Sequence, residues 1–139
     1  MSGYLFDTKI ALVLHEDLAP WQRVNASAFL ASGVAHGFPQ LMGAPYEDAD
    51  GTAYLPMLGQ PVFVLEGDTT TLREVRSRAI ARGVGTSVFT ADLFRTGNDE
   101  DNRAAVRAAA GAELDVVGLA IHGPKNVVDR IVKGTRRHH

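Results

Sequence analysis

Three short stretches carry side chains capable of proton transfer or anion binding: His15-Glu16-Asp17, Thr90-Ala91-Asp92 and His122-Gly123-Pro124-Lys125. Each closes an apolar run and leads into a turn. In an α/β protein, parallel strands bring such ends together in one crevice, beside the amino ends of the following helices. Two imidazoles and two carboxylates gathered there would supply a proton donor and acceptor near neutral pH. The expected crevice is lined by His15, Asp17, Arg23, Thr90, Asp92 and His122, with the whole reading resting on His15 and His122 sharing it. The competing reading of each histidine is a hydrogen-bonded spacer at a strand end.

Other polar groups fall close by. Asp17 lies three residues before Pro20 and can either cap the following helix or enter the crevice. Trp21, the only tryptophan, is either core or a stacking platform. Asn25, with Gln22 and Ser27, sits in the early turns of an otherwise apolar helix and needs solvent, a partner or a ligand for its amide. Gly123-Pro124-Lys125 reads as an open helix start whose free N–H groups could hold an anion. The arginines of residues 73–82 read as a solvated helix face, with an acidic partner as the alternative.

The elements that position these groups alternate. Residues 9–15 form a nearly continuous apolar run, as in a strand covered on both faces. Pro20 opens a helix running to about His36, apolar over so much of its circumference that burial is expected; Gly37 and Pro39 end it. Residues 40–57 read as a β-hairpin turning at Ala49-Asp50-Gly51, its Pro45 and Pro56 confining it to an edge. Met42, Tyr46, Tyr54, Leu55 and Met57 there must fold onto their own core or form a subunit interface.

Gln60–Glu66 is a second strand, Asp68 or Thr69 to Arg82 a helix, and Thr86–Thr90 a third strand. Asn98 opens an Ala-rich helix to about Ala110 with acids in its first turn. Leu114–Ile121 is a fourth strand, Lys125–Lys133 a last helix, and the Thr-Arg-Arg-His-His tail reads as frayed, with His138 and His139 open to two readings, native or added. This alternation predicts one α/β domain over residues 1–139, a sheet with helices on both faces and some parallel pairing.

The totals exclude several classes. Without cysteine there is no disulfide, thiolate nucleophile or Cys-based zinc site. No P-loop, nucleophile elbow or dinucleotide fingerprint occurs, and no metal site or cofactor is expected. A net charge of −2 does not favour tRNA or other nucleic acid as the main partner. No apolar run approaches a membrane span and no signal peptide opens the chain, so a cytoplasmic protein is expected.

Several motifs together resemble an uncharacterised bacterial family of unknown function: Lys9-Ile-Ala-Leu-Val-Leu-His-Glu-Asp-Leu-Ala-Pro-Trp-Gln, Tyr46-Glu-Asp-Ala-Asp-Gly, Tyr54-Leu-Pro-Met-Leu-Gly-Gln-Pro and Gly118-Leu-Ala-Ile-His-Gly-Pro-Lys-Asn-Val-Val-Asp. That family in turn resembles peptidyl-tRNA hydrolase II. The opening strand to Asp17-Leu18 is similar to the hydrolases' Val-Val-Arg-x-Asp-Leu, and Leu119–Asp129 to their closing strand and helix. Arg23 alone could stand for the hydrolase lysine, and Asp92 lies near the position of their Asp-containing loop. The resemblance implies a four-stranded mixed sheet sandwiched by helices, commonly dimeric, with the 40–57 hairpin inserted.

Together these readings name His15, Asp17, Arg23, Asp92 and His122 as candidate catalytic residues. Trp21, Asn25, Thr90, Gly123 and Lys125 are the candidate binding residues. The function expected first is binding of a small anionic or nucleotide-like ligand. The alternatives are hydrolysis of a peptidyl-tRNA-like ester and a non-enzymatic homodimeric module built on the hairpin.

Overall fold

The apolar run at the start of the chain becomes the strand with neighbours on both sides and helices on both faces. In the computed structural model, which describes residues 6–137, β1 (Thr8–His15) pairs in parallel with β4 (Val62–Gly67) and antiparallel with β6 (Val116–Pro124). β5 (Gly85–Thr90) pairs antiparallel with β6, and β7 (Arg136–Arg137) antiparallel with β4. The sheet order is β5-β6-β1-β4-β7. It is a mixed sheet of five strands rather than four, because the tail expected to fray supplies β7.

Period-two alternation along β1 divides the core. Ile10, Leu12 and Leu14 meet Ala26, Leu30 and Val34 of α1 (Pro20–Gly37). Ala11 and Val13 meet Leu72, Val75 and Ala79 of α2 (Thr69–Ala81), with Val128 and Ile131 of α4 (Lys125–Ile131). Asp68 caps α2 by accepting from the Thr71 N–H at 2.8 Å, which holds its carboxyl below the usual range. Gly83, at φ 67°, ends the turn that follows.

The expected hairpin is present as β2 (Tyr46–Glu47) and β3 (Ala53–Tyr54), closed at its base by Gly43 N–H to Met57 O, 2.8 Å, and Gly59 N–H to Leu41 O, 2.7 Å. It forms its own two-stranded sheet and leaves Tyr46, Tyr54, Leu55 and Met57 exposed. α1 is not buried all round either. It covers its face of the sheet with one side, and its outer side leaves Val24 and Phe29 exposed and Trp21 61% exposed. Between β5 and β6 the chain makes an excursion through a short turn of 3-10 helix at Ala91–Phe94 and α3 (Asp99–Arg107). The excursion leaves and re-joins the same end of the sheet, where Ala91 N–H bonds Asp115 O at 3.0 Å. No helix among the described residues is long and apolar enough to cross a membrane.

That excursion sets the direction of β6 and overturns the expected convergence of strand ends. Because β6 runs against β1, His122 sits opposite Ile10, five residues from His15. At about 3.3 Å per residue the two histidines are roughly 17 Å apart along the sheet. Alternation also places them on opposite faces, His15 towards α2 and His122 beside Phe38 at the end of α1. Gly123 and Lys125 go with His122, away from the other candidates.

Candidate site at the carboxyl ends of the parallel strands

β1, β4 and β5 point the same way, and their carboxyl ends gather most of the remaining candidates. His15 Nδ1 accepts the Asp17 backbone N–H at 3.1 Å, which leaves Nε2 to donate to Thr69 Oγ1 at 2.9 Å. This is the tautomer opposite to that of a general base, whose free nitrogen must take the hydroxyl proton. Asp17 does not cap α1. Instead Gln22 Oε1 accepts from the Ala19 N–H at 2.9 Å.

Arg23, on the core-facing side of α1, is a hub. It donates to Leu18 O at 2.9 Å, to Glu16 O at 2.5 Å and to Glu66 Oε2 at 3.0 Å. Arg136 of β7 reaches Glu16 Oε2 at 2.5 Å and Glu66 Oε1 at 3.1 Å. The Glu16 carboxylate first, and Glu66 with it, hold the Arg136 guanidinium more firmly protonated than usual. Glu66 is buried, and two arginines offset its desolvation. The cluster ties loop, helix and C-terminal strand together. Asp92 lies on the surface and pairs with Arg95. Thr90 is buried beneath the irregularity between Phe89 and Thr90, its hydroxyl without a partner among the described residues.

Beside this cluster, between the start of α1 and the β5–α3 excursion, opens a crevice of about 360 Å³. Its apolar wall is a chain of rings. Trp21 meets Phe94 edge to face with centroids 5.5 Å apart, Phe94 meets Phe89 at 4.8 Å, and Phe89 meets Phe29 at 6.0 Å. Its polar rim is Asn25, Asn98, Asp99 and Asn102. Asn98 is engaged as the cap of α3, bonding the Asp101 N–H at 2.8 Å, and Asn102 accepts from the Thr96 hydroxyl. Asn25 makes no side-chain hydrogen bond among the described residues. Among the expected binding residues, then, Trp21 and Asn25 line one cavity. Phe29, Phe89, Phe94 and Asn102 were not expected there, although Trp21, Asn25 and Phe29 at intervals of four mark one flank of a helix in the sequence itself.

At the far end His122 is buried against Phe38, ring centroids 4.4 Å apart, and neither ring nitrogen has a partner among the described residues. Burial pushes its pKa below the ordinary 6.5. Gly123 is buried, and a Cβ there would come within 2.9 Å of Val84 Cγ1. Lys125 is exposed, and its N–H bonds Asp7 O at 3.0 Å. Among the described residues no three His, Cys, Asp or Glu side chains group closely enough to hold a metal ion.

No curated protein matches this chain. A solved structure of a protein of unknown function from Agrobacterium tumefaciens is similar at 38% identity and a TM-score of 0.94, covering 97% of this chain and 100% of that one. Residues 8–139 match the family described as "Protein of unknown function (DUF2000)". With nearly its whole length matched, from the first residue of β1 onward, the chain belongs to the DUF2000 family.

Proposed function

We propose that this protein binds a small anionic or nucleotide-like ligand, with a planar ring seated against Trp21 and Phe94 and its polar edge read by Asn25 and Asn102. The observation that carries this reading is Trp21: a large ring, 61% exposed, held edge-on to Phe94 over an open cavity rather than packed into the core. Cavities of a few hundred Å³ lined by rings and a few oriented amides suit small ligands. The similarity of the opening segment to peptidyl-tRNA hydrolase II is consistent with a ligand at this end of β1. Ester hydrolysis has less support, since His15 presents a donor to Thr69 and Arg23 is committed to Glu66 and two carbonyls. tRNA is disfavoured by the net charge of −2.

Because Trp21 is the only tryptophan, its emission reports on the crevice alone. Titration with nucleoside monophosphates should quench or shift it saturably. Trp21→Ala or Asn25→Ala should weaken binding, followed calorimetrically, by about tenfold or more, the scale of one lost stacking or buried polar contact. Emission that stays unchanged across a nucleotide and small-carboxylate panel rejects the reading.

A homodimeric module is a second reading, favoured by the projecting hairpin. Tyr46 and Tyr54 form a cross-strand pair that is half exposed, and Leu55 and Met57 beside it are more so. Such a patch on a small protein is a candidate self-association surface. It does not compete with the crevice for the same residues.

A further inference from the structure

We propose that the groove along the outer edge of β5 is a docking seat for a short extended peptide segment bearing a carboxylate, which joins the sheet as an added strand. The proposal goes beyond the small-ligand reading: the groove adjoins that crevice and shares Phe29 and Phe89 with it, but what carries the proposal is the β5 backbone and Arg107, which the crevice does not use.

β5 is the last strand of the sheet and is hydrogen-bonded to β6 only. In an antiparallel pair, alternate residues turn their N–H and C=O away from the partner. No hydrogen bond from another element reaches the backbone of residues 85–90 on that outer side, among the described residues. An exposed edge is ordinarily blunted by charge, proline or a covering element. β5 reads Gly-Thr-Ser-Val-Phe-Thr, with neither charge nor proline. Instead of being covered, its edge floors a groove of about 590 Å³. Phe29 and Ser32 of α1 form one wall, and Val106 and Arg107 of α3 the other.

An unpaired backbone edge is satisfied by another extended backbone, and walls that each pair an apolar side chain (Phe29, Val106) with a polar one (Ser32, Arg107) suit its alternating side chains. A six-residue edge is about 20 Å long, which sets the segment at five or six residues. A second copy of this chain would bring its own α1 and α3 to the same slot, which a lone segment does not. The charge of the seat comes from α3. Arg103 is paired with Asp99, whereas Arg107 has no ion pair among the described residues. A carboxylate on the peptide would complete it.

The test uses the whole protein and a fluorescein-labelled hexapeptide of alternating valine and threonine ending in glutamate. Saturable anisotropy is expected, with amide cross-peaks of residues 85–90 shifting in a two-dimensional NMR titration. Methylating alternate peptide nitrogens should weaken binding about tenfold, by removing ladder bonds. Arg107→Glu should weaken it about fivefold and prefer a peptide ending in lysine, while Arg73→Ala on α2 should change nothing. No saturable binding, indifference to N-methylation, or equal affinity in Arg107→Glu overturns the proposal. So does a dimer in sedimentation that Arg107→Glu dissociates, since the edge would then belong to a second copy. Shifts confined to Trp21 and Asn25, with residues 85–90 unmoved, overturn it while leaving the small-ligand reading intact.

Discussion

His122 shows how a residue chosen for chemistry can be fixed by packing. Its imidazole is held neutral by burial beside Phe38, and its pKa is depressed from 6.5. In the unfolded chain the ring takes a proton near pH 6.5, whereas in the folded chain it does so only at lower pH. Stability is therefore fully present above about pH 6.5 and falls as pH drops below it towards the folded pKa. Thermal melts between about pH 8 and about pH 5.5 should show that fall, and His122→Leu should flatten the acid side. The same substitution should raise stability by about 1 kcal/mol at the alkaline end, because two unpartnered nitrogens leave the core. Arg23 is the opposite case, a cation whose donors are engaged. Arg23→Ala should lower the unfolding free energy by about 2 kcal/mol in urea denaturation, since Glu66 and two carbonyls each lose a charged partner. An effect below a few tenths of a kcal/mol would mean that water replaces the guanidinium at little cost.

At the scale of elements, the C-terminal strand deserves its own experiment. β7 has two residues, and two ladder pairs to Leu65 and Glu66 would not by themselves hold it. Arg136 adds ion pairs to Glu16 and Glu66, so side-chain charge supports what backbone length does not. Arg136→Ala should speed hydrogen exchange at Leu65 and Glu66 while β1 amides stay protected. Global stability should change little, because the arginine is more than half exposed and its ion pairs are screened by solvent. Unchanged exchange would show that backbone pairing suffices. The helices were largely legible from their local signals: Pro20 opening α1, Asp68 capping α2, Asn98 capping α3. The extent of α1 burial was not. Its apolar circumference suggested a helix enclosed on all sides, but only a single layer covers this face of the sheet, and Trp21, Val24 and Phe29 stay outside.

The whole molecule is one five-stranded sheet with α1 on one face and α2 and α4 on the other, and a two-stranded arm beside it. If the arm joins two copies, Tyr54→Arg should convert a dimer to a monomer in analytical sedimentation with the fold intact by circular dichroism. A mass unaffected by the substitution removes the arm from any interface. The arm was readable from Asp50-Gly51 and its flanking strands because a hairpin is a local structure. What covers it is not a local property.

Apart from the two-residue β7, the residues alone determined where the strands and α-helices lie, and that Trp21 and Asn25, four positions apart, share a helix flank. Those features depend on neighbours within a few positions, whose periodicity and caps are written consecutively in the chain. The direction of β6 depended on tertiary structure, since a run of apolar residues is compatible with either orientation. The α3 excursion returns to the end of the sheet it left, so β6 runs back along β1. That single reversal separates His122 from His15, and the ring-lined crevice beside Trp21 forms where segments distant in sequence fold together.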